Sequence, residues 1–275
     1  FMASSTAAAC CRQLGEQSWL AATTHTEACA SFGYALREAY HHLLLGLSDI
    51  AVVVGSDSPC EPYGLASFLN TSVISTRKCR PEEASAPGDL CRDGFVLAEG
   101  AGAVVLERRE DAEARGADIW ALLAGFGSSI GKYNPGCNSP EGVATAITRC
   151  LEDAGLSFRD IALISAHLTS TPSGDPIEVA GIKMAGGSSY MHPLVVNSKS
   201  ALGHFIVAAG VPTLLYVLLA MINDLVPPNL NQRSVDPACK LNYVGPEPLE
   251  ARINAALCNF LGFGCQHIVG AFKRP

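Results

Sequence analysis

Three side chains define the chemistry this sequence can do. Cys29 ends the stretch Trp19–Cys29, where an apolar run (Trp19-Leu-Ala-Ala-Thr-Thr24) gives way to a helical pattern starting near Ala30. That places a thiol at a helix N-terminus, where unpaired backbone N–H groups and the helix dipole favour a thiolate. Two histidines follow far downstream, His167 in Ala166-His-Leu-Thr-Ser-Thr-Pro172 and His204 in Lys199-Ser-Ala-Leu-Gly-His204. A nucleophilic cysteine at an elbow, served by two imidazoles from later loops, suits covalent acyl transfer. The plain alternative for Cys29 is an inert packed thiol, and the two histidine loops weigh against it.

The bulk of the chain agrees with an enzyme of this size. It has 275 residues, 48% of them hydrophobic and 16% charged, enough for one large or two ordinary domains with a sizeable core. The net charge of -7, with no basic cluster beyond Lys273-Arg274, gives no electrostatic reason to bind nucleic acid or an anionic membrane. Eleven cysteines occur without any C-x-x-C pair, which argues against a metal site and for a reducing compartment. No charged segment precedes an apolar one in the manner of a signal peptide. Phe205–Ile222 is apolar over a length close to a membrane span. Gly210, Pro212 and Thr213 within it favour a buried core helix.

Elements must bring the three residues together. Helices are expected at Met2–Leu14, Ala30–Leu45, Pro140–Gly155, Pro176–Met184 and Phe205–Ile222, with a short one near Leu65–Leu69. Strands are expected at Trp19–Thr24, Ile50–Val54, Ala103–Glu107, Ile119–Phe126, Ile161–Ser165, Leu194–Asn197, Ala255–Cys258 and His267–Phe272. Trp19–Thr24, the helix after it and Ile50–Val54 read as a strand–helix–strand unit of a parallel sheet. The polar stretch Arg108–Gly116 marks a seam, giving residues 1–112 with the cysteine and 113–275 with both histidines.

Five motifs, in order, resemble the β-ketoacyl synthases of the thiolase-like superfamily. Glu27-Ala-Cys-Ala-Ser31 is similar to the nucleophile motif, and Cys91-Arg-Asp-Gly-Phe-Val-Leu-Ala-Glu-Gly-Ala-Gly102 to the RDGFVxGEGAG stretch. His167–Glu178 resembles HGTxTPxxDxxE, Asn197–His204 resembles STKSxxGH, and Asn259–Gly264 stands where the family has its NSFGFGG loop. The resemblance implies an α/β fold of five layers, αβαβα, built from two pseudo-repeated halves and usually dimeric, as a homodimer or a synthase-like heterodimer. It implies that the first half is incomplete here, its opening strands lying elsewhere on a longer polypeptide or on a second chain.

The resemblance also implies roles. Cys29 takes an acyl group from acyl carrier protein, and the enolate left when malonyl-carrier protein loses carbon dioxide attacks that thioester. The backbone N–H groups of Cys29 and Phe263 form an oxyanion hole, with Phe263 also a gate. His167 and His204 polarise the malonyl thioester, Lys199 and Glu178 form a buried supporting pair, Asp175 fixes a loop, and Thr169 and Thr171 hold the phosphopantetheine arm. No cofactor or metal is implied, and the location is cytoplasmic or an organelle matrix. His25, His41, His42, His192 and His267 are read as structural. Cys265 is read as a packed residue, with a thiolase-like second cysteine base as the alternative.

Several positions depart from the family pattern: Glu27, Ala98, Leu168, Phe260, Leu261, Cys265, Gln266 and His267. Leu168, where glycine is usual, is expected to crowd the pantetheine path. Glu27, where threonine is usual, would raise the Cys29 pKa if close and ionised. Two rivals to a condensing enzyme are a non-catalytic chain-length-factor-like partner, which would normally lack the nucleophile, and a thiolase-fold acyltransferase.

Overall fold

The computed structural model describes residues 4–13, 21–131 and 138–275. Helix α1 spans Ser4–Gln13, and a 3-10 turn at Ala28–Ala30 leads into α2, Ser31–Leu44. Strand β1 (Ile50–Asp57) is followed by α3 (Pro62–Leu69), β2 (Gly100–Glu107) and α4 (Arg109–Ala114). The second half runs β3 (Leu122–Ile130), α5 (Pro140–Ala154), β4 (Leu163–Ser165), α6 (Gly174–Gly186), β5 (Leu194–Val196), α7 (Lys199–Leu202) and α8 (Gly210–Asn223). It closes with the short pair β6 (Leu225–Val226) and β7 (Leu249–Glu250), then β8 (Ala255–Gly262) and β9 (Gln266–Lys273).

The larger sheet has the order β3-β9-β8-β4-β5. β4 runs parallel to β5 and β8, while β9 runs antiparallel to β8 and β3. Every residue of β8 is buried, as a central strand covered on both faces requires. On one face Val143, Ile147, Val179 and Ile182 of α5 and α6 pack against Ile164, Leu257 and Val269. On the other, Phe32 and Leu36 of α2 and Leu214, Val217 and Met221 of α8 pack against Leu163, Val196, Phe260 and Ile268. Each such side chain contributes roughly 1.5–3 kcal/mol on leaving water. Beyond α2 and α8 lies the β1–β2 ribbon, where Gly55 and Gly102 let Val211 of α8 approach the strands. The expected αβαβα stack is thus represented by four layers, αβαβ, among the described residues.

Local chemistry explains the boundaries. Ser139 caps α5 by accepting from Gly142 N at 3.1 Å, Pro140 occupies its first turn, and Gly155 ends it in the left-handed region at φ 61°. The apolar segment Ile206–Asn223 has membrane-spanning length and a mean hydropathy of 2.0, yet over half of it is buried inside the fold. It serves as the core helix α8 after a 3-10 turn at Ile206–Ala209.

Several expectations are corrected. Of the strand expected at Trp19–Thr24, residues 19 and 20 lie outside the described set, and Ala21–Thr24 is irregular and exposed, with no ladder partner among the described residues. Among the described residues no parallel strand–helix–strand unit is formed; β1 pairs antiparallel with β2, from Ile50 against Glu107 to Asp57 against Gly100. The strand expected at Ile119–Phe126 is displaced to Leu122–Ile130, and β8 and β9 run longer than expected because their hairpin stays paired up to Gly262 and Gln266.

Candidate active site

Cys29 sits on a strained turn. Ala28 holds φ 50°, a left-handed conformation unfavourable for a residue with a Cβ, and Ala30 N closes the turn on Glu27 O at 3.1 Å. Ser31 donates its hydroxyl to Ala28 O at 2.7 Å. Opposite, Gly262 at the end of β8 leaves no room for a side chain: a Cβ there would lie 2.6 Å from Glu27 O and 3.0 Å from Ala30 N. Further positive-φ residues stand beside the other candidate groups, Ser170 in the His167 loop, Ile206 just after His204 and Cys265 in the β8–β9 turn. Strain of this kind persists where the surroundings over-determine it, and it clusters at functional sites.

The two histidine loops converge on the sulfur. His204 Nε2 lies 3.1 Å from Cys29 Sγ, and the rings of His167 and His204 meet edge-on at 5.5 Å. The Cys29 sulfur and one nitrogen from each ring all fall within 4.8 Å of one another, and all three residues are buried. His204 is placed by its backbone: its N–H donates to Val96 O at 2.8 Å and its carbonyl accepts from Ala98 N at 3.1 Å. Ala98, a departure from the family pattern, supplies that contact without disturbing it. Phe95 closes the other side, its ring perpendicular to His204 at 4.9 Å.

Behind the histidines lies a buried polar frame. Glu178 accepts from His167 N at 2.8 Å, Leu168 N at 2.7 Å and the Asn259 side-chain amide at 2.9 Å. Lys199 is 1% exposed and donates through Nζ to His167 O at 2.5 Å. The Asn197 side-chain nitrogen faces the carbonyls of Ala166, His167 and Leu168 at 3.0, 3.2 and 2.9 Å, while its oxygen accepts from Lys199 N at 2.9 Å. Asn197 and Asn259 fall within recognisable motifs, yet sequence alone gave neither a role; an asparagine in a polar loop looks the same whether it caps a turn or pins a carbonyl. Phe95 lies in the Cys91–Gly102 motif, where sequence gave it no role, and Asp57, a carboxylate acting on Cys29, lies outside every motif.

Electrostatics set the resting state. Burial pushes the Cys29 thiol up to about 12, against the pull of the Lys199 charge. Burial thus acts against the readily formed thiolate expected from the helix N-terminus. Burial, with Lys199 adding to it, holds His167 and His204 well below the usual imidazole range. Burial also lowers Lys199 to about 8, with Glu178 opposing, and raises Glu178. The resting group is a neutral thiol against neutral imidazoles, able to donate N–H to a carbonyl oxygen or pass the thiol proton to His204 as sulfur attacks. A sulfur and two imidazoles also form a zinc-type donor set, but the Lys199 charge acting on all three opposes a second cation.

The remaining sequence-predicted residues fall at varied distances from this centre. Asp175 accepts from Gly88 N at 2.8 Å, tying the His167 loop to the segment around residue 88. Thr169 and Thr171 pair their hydroxyls at 3.1 Å, and Thr171 also accepts from Gly174 N at 3.1 Å. Phe263 is 41% exposed in the β8–β9 turn, next to Gly262 and hence next to the Cys29 turn. Two expectations about departures are corrected. Leu168 is buried, 1% exposed, among the α5–α6 side chains of the core. Glu27 engages His25 at 3.3 Å, and the carboxylate that raises Cys29 is Asp57. His41 and His42 ride on α2, and His267 is fully buried on β9 beside Ser129.

The chain matches two family models, β-ketoacyl synthase N-terminal domain over residues 5–112 and β-ketoacyl synthase C-terminal domain over residues 120–233. It is 36% identical over 244 residues to the 3-oxoacyl-[acyl-carrier-protein] synthase 2 of Coxiella burnetii, covering 88% of this chain and 58% of that one. It is 37% identical over 254 residues to the Vibrio cholerae protein of the same name, covering 90% and 61%. The chain thus spans about three fifths of the length of these curated relatives. Among solved structures, a type II PKS ketosynthase, described in complex with its acyl-carrier protein and bound to the hexaketide, superposes with a TM-score of 0.95 at 31% identity, over 99% of this chain and 67% of that one. The ishigamide ketosynthase/chain length factor gives 0.91, also at 31% identity, over 100% and 66%. By its motifs, its layered fold and these matches, the chain belongs to the β-ketoacyl synthase family.

Proposed function

We propose that the protein carrying this chain is an acyltransferase that performs decarboxylative condensation, with Cys29 as nucleophile and His167 and His204 as the decarboxylating pair. The observation that carries the reading is the meeting of the Cys29 sulfur with one nitrogen from each histidine within 4.8 Å. In the first half-reaction Sγ attacks the thioester carbonyl of an acyl carrier protein. The thiol proton passes to His204 Nε2, the Sγ–C bond forms, and the carrier thiol leaves with that proton. N–H groups of Cys29 and Phe263 are suited to the oxyanion, since Gly262 holds the two turns together. In the second half-reaction malonyl-carrier protein loses carbon dioxide while neutral His167 and His204 donate to its thioester oxygen. The enolate carbon then attacks the Cys29 thioester carbonyl, the Sγ–C bond breaks, the released sulfur takes up one proton from solvent to return to the resting thiol, and the β-ketoacyl product leaves on the carrier.

Lys199, Glu178 and Asp175 act as the supporting frame, and Thr169 and Thr171 as contacts for the phosphopantetheine arm. The division into residues 1–112 and 113–275, a dimeric assembly, a cytoplasmic or organelle-matrix location and independence from any cofactor belong to the same reading. Intact-mass detection of an acyl group on Cys29 after incubation with acyl-carrier protein tests the first step. Carbon dioxide release from malonyl-carrier protein, abolished in His204→Ala, tests the second. Acyl uptake without decarboxylation would make the protein a simple acyltransferase, and absence of both would end the proposal.

A further inference from the structure

Glu27 and His25, which lie next to the nucleophile without touching it, form a connection of their own. His25 Nδ1 lies 3.3 Å from Glu27 Oε1, and its Nε2 is in close contact with Glu38 Oε2 on α2. The other Glu38 oxygen faces His42 at 3.8 Å, one turn further along the same helix. All of these groups are partly buried, with side-chain exposures of 19% for His25 and 29% for Glu27. Partial burial gives such contacts more weight than a fully exposed ion pair has. Glu27 is also the residue whose carbonyl closes the Cys29 turn and abuts Gly262.

We propose that Glu27, His25 and Glu38 form a clip that positions the nucleophile. A carboxylate–imidazole–carboxylate bridge fastens the residue two before Cys29 to the body of α2, and so holds Ala28 in its left-handed conformation. Glu27 stands where the family's motif usually has threonine, so the clip is a feature of this chain and not of the motif. The three are positioning residues: their groups act on the backbone of the turn, and the turn aims the sulfur at His204. The inference rests on Cys29 being the acyl acceptor.

The test uses the whole polypeptide that contains this sequence and compares His25→Ala, Glu27→Ala, Glu27→Gln and Glu38→Ala. In the acylation assay the three alanine variants should lose about tenfold in the saturating rate of Cys29 acylation with an unchanged half-saturating carrier concentration, because aim is lost and not binding. Glu27→Gln, which still offers an oxygen to His25, should stay within about twofold of the original rate. In parallel, iodoacetamide should alkylate the loosened Cys29 about tenfold faster, while Cys150 and Cys258, both 0% exposed, stay protected as internal controls.

Alanine variants that acylate at the original rate, or a Glu27→Gln variant as slow as Glu27→Ala, would overturn the clip. So would alkylation that rises equally at all three cysteines, since that reports loosening of the whole fold. If His25→Ala does not fold, Glu38→Ala opens the same bridge from its other end. An unaltered protein that takes no acyl group refutes the functional reading alone, and the alkylation series then decides the clip by itself.

Discussion

At the scale of single residues the site is a balance between burial and one positive charge. Lys199 draws the Cys29 thiol down and also disfavours protonation of both imidazoles. Lys199→Met keeps the volume and removes the charge. The thiolate fraction at neutral pH should fall, and iodoacetamide alkylation of Cys29 at pH 7 should slow about tenfold. The pH profile of alkylation should move to higher pH; an unmoved profile would show that the ammonium does not act on the sulfur. Leu168 illustrates the opposite case, a residue in a functional motif that does core work. Leu168→Ala should cost about 3 kcal/mol, read as a lower denaturation midpoint, because the side chain packs with α5 and α6. Acylation of Cys29 in the variant should proceed at the unaltered rate, and a faster rate would restore the view that leucine obstructs the arm.

At the scale of elements, function depends on where one strand ends. β8 runs buried through the middle of the sheet and stops at Gly262, against the backbone of the nucleophile turn. Gly262→Ala puts a methyl group 2.6 Å from a carbonyl oxygen and 3.0 Å from an amide nitrogen, and neither can swing away as a side chain would. The expected outcome is a folded protein whose acyl uptake falls about 10²-fold, since a displacement near 1 Å is enough to spoil alignment. Circular dichroism beside the acylation assay separates this from simple unfolding, and near-normal uptake would show that the turn yields.

Much of this arrangement was legible in advance. α5 was marked by Ser139-Pro140 at its start and Gly155 at its end, and α8 by an uninterrupted apolar run. Cys29, His167 and His204 could be named from residue type and motif. What could not be read was anything set by contact across distant elements. The strand expected at Trp19–Thr24 looked apolar enough, but a strand exists only with a neighbour to pair with, and composition does not supply one. The burial that opposes a thiolate was hidden for a related reason: the helix N-terminus is local and visible, whereas Phe95 and Ile206 are brought to Cys29 only by the fold. Leu168 looked like an obstacle because sequence gives a position in a motif and not a direction in space.

At the scale of the whole molecule, the segment between residues 85 and 92 is tied around buried charge to the His167 loop and to the segments carrying Lys199 and Asp236. Ser85 donates to Lys199 O at 2.8 Å, Ala86 N donates to Ser170 Oγ at 3.0 Å, and Gly88 N donates to Asp175. Arg92 reaches Asp236 at 2.7 Å and the Thr171 and Pro172 carbonyls at 3.2 Å, and stands 3.9 Å from Asp175. Despite that cation, burial raises Asp175 to about 7 from 3.8. Between those two values the folded protein holds a proton that the unfolded chain has released. The contribution of Asp175 to stability is therefore fully present below pH 3.8 and declines as pH rises through about 7. His267 runs the other way: burial lowers it from 6.5 to about 4, so its contribution is complete above pH 6.5 and is lost on acidification toward 4. The two slopes oppose each other across mildly acidic pH, and the profile of the unaltered protein would conceal both. Asp175→Asn isolates one of them, because the amide cannot titrate. Urea denaturation from pH 4 to 8 should show the unaltered protein losing stability relative to the variant as pH rises. A relative gain with rising pH would mean that Arg92 and the Gly88 amide hold Asp175 as an anion and that the Arg92–Asp175 contact is a true ion pair.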